Sequence, residues 1–333
     1  MNKTIPSEDL IDTIQRLSSL QDKLRGKQIF LSGGTGFFGK WLLKSFVLFN
    51  RQYGLDATLT VLSRNSEKFL SEYPEFCGFK EIIFIDGDIR SFSLPTVYFD
   101  YVIHAATEAS AKLDREQPEE MTSVIVDGTQ RILQMNFDKM LFVSSGAIYG
   151  IQPSELECIP EDYIGQPVTA YGRGKLLAEQ LCIESGQPVA IARCFAFVGP
   201  WLPLDAHFAV GNFILDCLAG KHIIIKEDGT PFRSYMYAAD LAVWLWTILV
   251  NGQNGRAYNV GSEQAISIAD LATEVNSCCG GENEISTMQQ AQSGVLPMRY
   301  VPDTGRAQKE LNLSMNYSIR EALQKTIQWH KSR

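Results

Sequence analysis

The sequence has no Cys-x-x-Cys pair, although it carries seven cysteines in 333 residues. Cys77, Cys158, Cys182, Cys194, Cys217, Cys278 and Cys279 are scattered and odd in number. They give no metal framework and read as the reduced thiols of a cytoplasmic protein. Histidine is scarce: His104, His207, His222 and His330 lie far apart, so no metal site is expected. There is no basic surplus either. Lys and Arg number 30 against 38 Asp and Glu, a net charge of −8, which argues against nucleic acid and anionic membranes as partners. No apolar run is long enough to span a bilayer. The longest, Leu241–Val250, reads as a buried helix. The opening MNKTIPSEDL lacks an apolar signal core, and no repeat or low-complexity stretch occurs.

An apolar content of 45% supports a sizeable core. The length suits one large α/β domain with a smaller lobe. Residues 7–25 place Leu10, Ile14, Leu17 and Leu24 at helical spacing, with Ser7 as cap and Gly26 as stop. This predicts an N-terminal packing helix over 1–26. Strands then alternate with helices. Strands are expected at 28–32, 57–63, 81–86, 101–105, 140–144 and 189–193, and helices at 40–50, 121–135 and 175–185. That alternation implies a doubly wound parallel sheet, a Rossmann fold. Residues 27–195 with 234–262 form the expected dinucleotide domain. Residues 196–233 with 263–333 form the expected C-terminal substrate lobe.

Gly33, Gly36 and Gly39 follow an apolar strand and open a helix. The first glycine allows a tight turn, the second a close approach to pyrophosphate, and the third helix–strand packing. The helix end, with Thr35, Phe37 and Phe38, offers free N–H groups to phosphate. The second strand ends in Ser63 and Arg64 where an NAD site usually has a carboxylate. Nothing there repels a 2′-phosphate, and a guanidinium pairs well with one, so NADP is expected over NAD. Asp86 and Asp88 offer carboxylates to an adenine amino group, with Ile89 against the ring. The small Ala105 and Ala106 let the fourth strand lie close to the cofactor. His104 is expected to be a hydrogen-bonded core imidazole.

Tyr171 and Lys175 stand one helical turn apart. An ammonium beside a phenol favours the phenolate, which a free tyrosine with a pKa of about 10 does not reach at neutral pH. Ser144 and Ser145 end a strand, where ligands bind in such sheets. Ser145 is placed to hold the oxygen whose proton Tyr171 moves.

These motifs, with Tyr149-Gly150, Gly199-Pro200, Asp228-Gly229, Arg233-Ser234-Tyr235 and Arg299-Tyr300-Val301-Pro302-Asp303, run in an order that resembles the extended short-chain dehydrogenase/reductases. The closer likeness is to the NAD-dependent epimerase/dehydratase family, over about residues 27–330. The resemblance implies Ser145, Tyr171 and Lys175 as the catalytic group and a sugar nucleotide as substrate. It implies Arg233 and Arg299 at the substrate diphosphate and a homodimer built on the helices near 121–135 and 171–185. It departs in four places. Gly146 and Ala147 stand where family 4,6-dehydratases carry Asp-Glu, with Glu108 as one substitute. Ala196 and Ile125 replace two asparagines, and Asn212 is either a compensating contact or a helix cap.

The resulting expectation is an enzyme that epimerises a hexose at C4 by transient oxidation. A 4-keto-sugar reductase and a 4,6-dehydratase stand as alternatives. A non-catalytic nucleotide-binding protein and a reductase of small carbonyls stand behind them.

Overall fold

The computed structural model describes residues 5–107, 110–205 and 208–332. Six strands build the sheet core: β1 (Gln28–Ser32), β2 (Thr58–Ser63), β3 (Ile82–Asp86), β4 (Phe99–His104), β5 (Phe137–Ser145) and β6 (Val189–Cys194). Ala257–Val260 adds a seventh at one edge, giving the order Ala257–Val260, β6, β5, β4, β1, β2, β3. All neighbours are parallel, with Ile29 opposite both Leu59 and Tyr101. Chain order reverses on either side of β1, and such a reversal opens a crevice beyond the carboxyl ends of the strands.

Alternation along β1 explains the layers. Ile29 and Leu31 belong to one hydrophobic cluster and Phe30 to another, because successive strand residues face opposite sides. The first cluster takes in helices Phe37–Gln52 and Ala238–Asn251. The second takes in Pro118–Ile132 and Ala170–Glu184. Leu241–Val250 is buried throughout, as its apolar run, interrupted only by Thr247, predicts. Among the described residues no helix is long and apolar enough to cross a membrane.

The N-terminal segment differs from one capped helix. Pro6 is the cap residue and makes no side-chain cap, so Ser7 starts the helix Ser7–Arg16 instead of capping it. A 3₁₀ turn at Ser18–Leu20 and a short helix Gln21–Leu24 complete the segment, and Gly26 turns out of it at φ +67°. Its packing role is clear. Arg16 Nη1 donates to Asp240 Oδ1 at 2.6 Å, Tyr237 Oη donates to Asp9 Oδ2 at 2.6 Å, and Lys325 Nζ lies 2.7 Å from Asp9.

The lobe carries a small sheet in the order Ile266–Ser267, Phe232–Arg233, Arg299–Tyr300. Its apolar residues do not form a separate core. Phe213, Leu271 and Trp329 join the same cluster as β1. These C-terminal residues therefore share one hydrophobic core with the sheet.

Candidate active site

The glycine turn shows why small residues stand there. Gly33 has φ +78°, and a Cβ on it would sit 2.5 Å from the Ala105 carbonyl oxygen. A Cβ on Gly39 would lie 2.3 Å from Gly34. Gly36 is different. It has φ −77°, caps helix Phe37–Gln52 with no side-chain bond, and a Cβ there would meet only the Gly33 carbonyl oxygen at 3.5 Å. The first-turn N–H groups thus face an open cradle, with the positive end of a helix dipole behind them. That cradle fits the pyrophosphate of a dinucleotide. Thr35, Phe37 and Phe38 line it in half-buried positions.

The β2 end is built as a turn. Ser63 is buried and its Oγ accepts from the Asn65 N–H at 3.1 Å. Asn65 caps the next helix through the Lys68 N–H at 2.8 Å, and Arg64 is exposed. Asp86 accepts from the Ser66 N–H at 2.8 Å. Arg90 grips both oxygens of Asp88 at 2.8 and 2.9 Å. This hydrogen-bonded guanidinium holds the Asp88 carboxyl at about 2. Ile89 is turned into the core, close enough that a Cβ on Gly128 would lie 3.0 Å from it.

His104 behaves as expected. It bonds Ser32 Oγ at 2.8 Å and Thr129 Oγ1 at 3.0 Å, and burial holds its pKa down near 3. It is a neutral core imidazole.

The helix that carries Tyr171 and Lys175, Ala170–Glu184, begins earlier than its sequence suggests. Thr169 Oγ1 accepts from the Gly172 N–H at 3.0 Å, so Tyr171 falls in the first turn. Gly172 and Gly174 are poor helix formers that obscure this turn in the sequence. Both serve packing. A Cβ on Gly172 would meet the Ala147 carbonyl oxygen at 2.6 Å, and one on Gly174 would meet Ile125 at 3.1 Å. Ile125, at one position that departs from the family asparagines, is therefore an apolar contact for the catalytic helix.

Lys175 is buried and donates to the Val143 carbonyl at 2.8 Å and to Thr107 Oγ1 at 3.0 Å. Thr107 follows Ala105, whose carbonyl abuts Gly33, so Lys175 is tied to the rim of the cradle. Its ammonium lies 5.8 Å from the Tyr171 ring centroid and 5.0 Å from that of Phe142. Burial lowers its pKa to about 8. Burial also raises the Tyr171 phenol to about 12, with a hydrogen bond to Ser145 pulling the other way. The expected lowering of this phenol by its lysine neighbour is not met. Burial dominates, and the lysine spends its donors on Val143 and Thr107.

Ser145 caps the turn at Gly146–Tyr149 by accepting from the Ala147 N–H at 3.1 Å. Ser144 faces elsewhere and donates to Glu179 Oε1 at 2.5 Å, which separates the roles of the two serines. Glu179 also receives Arg193 Nη2 at 2.8 Å, and Arg193 Nη1 donates to Tyr149 Oη at 2.9 Å. Neither Glu179 nor Thr107 was singled out from the sequence. Glu179 was within reach, since Tyr171, Lys175 and Glu179 repeat every four residues along one helix face.

The two arginines expected at a substrate diphosphate part company. Arg233 pairs with Tyr300 across the lobe strands and stands 6.0 Å from its ring centroid. Arg299 pairs with Phe232, lies 4.7 Å over that ring and donates to the Glu157 carbonyl at 3.1 Å. Successive strand residues alternate faces, so the two guanidinium groups do not share one. Asn212 lies inside helix Ala209–Leu218, whose cap residue is Phe208, so it is not the cap. Glu108 lies outside the described residues. Among those residues no His, Cys, Asp and Glu cluster could hold a metal, and the cysteines are free thiols.

Comparison with known proteins places the chain in a family. The family model described as "NAD dependent epimerase/dehydratase family" matches residues 29–261. UDP-glucuronic acid decarboxylase 1 of Xenopus tropicalis is 27% identical over 320 residues, covering 92% of this chain and 72% of its own. UDP-glucuronic acid decarboxylase 3 of Arabidopsis thaliana is 27% identical over 313 residues, covering 89% and 86%. Among solved structures, the dTDP-glucose 4,6-dehydratase of Streptomyces venezuelae, with NAD bound, superposes with a TM-score of 0.79 at 21% identity, covering 92% and 97%. The UDP-glucose 4-epimerase of Thermotoga maritima superposes at 0.77 with 22% identity, covering 92% and 99%. On the family match, this chain is an enzyme of the NAD-dependent epimerase/dehydratase family.

Proposed function

We propose that this enzyme epimerises a sugar nucleotide at the hexose C4 by transient oxidation. The observation that carries the reading is the meeting of Ser145, Tyr171 and Lys175 beside the glycine cradle. A nicotinamide dinucleotide bound in the cradle supplies the hydride acceptor and donor. Ser145 holds the sugar 4-oxygen, Tyr171 moves its proton, and Lys175 anchors the cofactor ribose. Arg233 takes the substrate diphosphate, for which a guanidinium fork is matched in shape and charge. Gly146 and Ala147 bring no titratable group for water loss, which sets this site apart from a 4,6-dehydratase.

One observation favours a second reading. The Tyr171 phenol is held protonated by burial, which suits an acid that reduces a 4-keto sugar. Incubation with a panel of UDP- and dTDP-sugars, with and without NADPH, separates the readings. A C4 epimer without net cofactor use supports the proposal. Stoichiometric NADPH loss identifies a reductase and overturns it. Loss of water or of carbon dioxide, followed by mass, overturns it in favour of a dehydratase or a decarboxylase, the latter being the activity named for the curated relatives.

We propose NADP as the cofactor, although the Streptomyces venezuelae dehydratase structure holds NAD and the family is described as NAD-dependent. The β2 end presents Ser63 and Arg64 and no carboxylate. Tighter binding of NADH than NADPH in a fluorescence titration would overturn this.

We also propose a homodimer formed through helices Pro118–Ile132 and Ala170–Glu184. Leu177 and Ile183 are 47% and 55% exposed on the second of these. A monomeric mass by light scattering at micromolar concentration would refute it.

A further inference from the structure

The geometry points to Cys217 and Cys279 as a redox modification site: a dithiol that a low-molecular-weight disulfide oxidises to an intrachain disulfide, fastening helix Ala209–Leu218 to helix Ile268–Cys279. The inference stands apart from the reading of the active site, since neither thiol belongs to it.

The two sulfurs come from distant parts of the sequence. Cys217 lies near the end of the first helix and is buried. Its thiol faces the last turns of the second helix, with Sγ 4.0 Å from the Val275 carbonyl oxygen and 3.9 Å from Asn276 Oδ1. Cys279 stands one helical turn beyond Val275, on the same side of that helix. The Cys217 thiol also hydrogen-bonds the Cys279 thiol. Cys278 points elsewhere. Its Sγ lies 4.0 Å from Glu274 Oε1, which accepts from Arg320 Nη1 at 2.6 Å. Neighbours on a helix point in different directions, so the adjacent cysteines are set apart by the turn of the backbone.

Two asparagines hold the pair in place. Asn283 Oδ1 accepts from the Cys217 thiol at 3.5 Å, and Asn283 Nδ2 donates to the Lys221 carbonyl at 2.7 Å. Asn276 Nδ2 donates to the Asn283 carbonyl at 2.8 Å. The chain after Cys217 is thus clasped to the chain after Cys279. The end of the second helix has room to yield as a bond forms. Gly280 and Gly281 follow Cys279 at φ +131° and +78°, with open space where a side chain would stand.

The two thiols are unequal, and this sets the order of events. Burial pushes the Cys217 thiol up to about 12. Cys279 is half-buried, and its carbonyl accepts from Lys331 Nζ at 3.3 Å, which puts an ammonium next to the pair. A nearby cation favours the thiolate, the nucleophile of disulfide exchange. The Cys279 thiolate attacks one sulfur of the small disulfide, forms a mixed disulfide and releases a small thiolate, which takes up a proton. Cys217 then gives up its proton and attacks Cys279 Sγ. This closes the intrachain bond and releases the second small thiol. The protein loses two electrons and two protons, and the small disulfide is reduced to two thiols.

The test equilibrates the full chain in glutathione buffers of rising oxidised-to-reduced ratio. Free thiols are then alkylated, and the digested protein is read by mass spectrometry without reduction. Cys77, an exposed single thiol, shows in the same sample where a mixed disulfide forms. The expected cross-link joins Cys217 to Cys279 at a ratio at least about tenfold below that which glutathionylates half of Cys77, because its second step is intramolecular. Dithiothreitol should reverse it. Cys278→Ser should cross-link as the unaltered protein does. Cys279→Ser and Cys279→Ala, confirmed as folded by their thermal midpoints in reducing buffer, should leave Cys217 without an intrachain partner. A cross-link to Cys217 that survives both changes at 279 overturns the assignment. So does the absence of any cross-link in the unaltered protein once Cys77 is half glutathionylated.

Discussion

Glu179 and Arg193 form a buried ion pair that ties the catalytic helix to β6, with Glu179 Oε2 and Arg193 Nη2 2.8 Å apart. Their side chains are only 3% and 14% exposed. Glu179 also accepts from Ser144, the residue next to Ser145. One carboxylate therefore joins the helix bearing Tyr171 and Lys175 to the two strands beneath it. Glu179→Ala leaves Arg193 buried without its counter-charge. The expected loss is about 3–5 kcal/mol of unfolding free energy, read from denaturant midpoints. A change below about 1 kcal/mol would show that water or another group takes over the pairing.

The glycine turn offers a contrast between two neighbours. Gly33→Ala puts a Cβ 2.5 Å from the Ala105 carbonyl oxygen at a residue with φ +78°. The left-handed backbone alone costs about 1–2 kcal/mol for a residue with a Cβ, and the clash adds to it. Gly36→Ala meets neither problem, since φ is −77° and the Gly33 carbonyl is 3.5 Å away. It should keep the thermal midpoint and lose at least about tenfold in dinucleotide affinity, near 1.4 kcal/mol. Equal affinity for Gly36→Ala and the unaltered protein would place the pyrophosphate elsewhere.

The sheet was readable because its strands are short apolar runs closed by polar or glycine turns. Gln28–Ser32 agrees to the residue with the structure. Ser63, Asp86 and Val189 also bound their strands as expected, while other ends moved by one to three residues, as at Phe99–His104 and Phe137–Ser145. The N-terminal helix was legible as a packing element but not its break after Arg16, since apolar spacing continues through the 3₁₀ turn. At the candidate site, the residue types that stood out in the sequence were those with strong local grammar: Gly33, Gly36, Ser145, Tyr171 and Lys175. Contacts made across long sequence gaps were not. Lys175 to Thr107, Asp88 under Arg90, and Tyr300 against Gly146 depend on which loops the sheet brings together. The pKa of Tyr171 also escaped, because spacing shows a neighbouring lysine but neither the burial of the phenol nor where the lysine's donors go.

Tyr171→Phe removes only the hydroxyl from the ring, which on the proposed reading is the proton-transfer group. Turnover should fall by about a hundred- to ten-thousandfold, the usual worth of a positioned acid or base. Dinucleotide affinity should stay within about twofold, because the cradle is built by the glycine turn and Lys175. Retained turnover in this variant would move the chemistry to another group.

Lys175 gives a pH signature that does not depend on any substrate. Burial lowers its pKa from the ordinary 10.5 to about 8 in the folded protein. Below pH 8 it is charged in both folded and unfolded chains, and the folded state bears the cost of the buried charge. Between pH 8 and 10.5 the unfolded chain binds more protons than the folded one, so this residue's contribution to stability improves as pH rises. The total change is about 3 kcal/mol over that window. Lys175→Met has no such group. Its unfolding free energy, compared with the unaltered protein, should lose ground by that amount between pH 8 and 10.5 and hold a constant difference below pH 7. Denaturant titrations at half-unit pH steps read this directly. A flat difference across the window would mean that Lys175 titrates alike in the folded and unfolded chains, and that its ammonium is solvated instead of held between Val143 and Thr107.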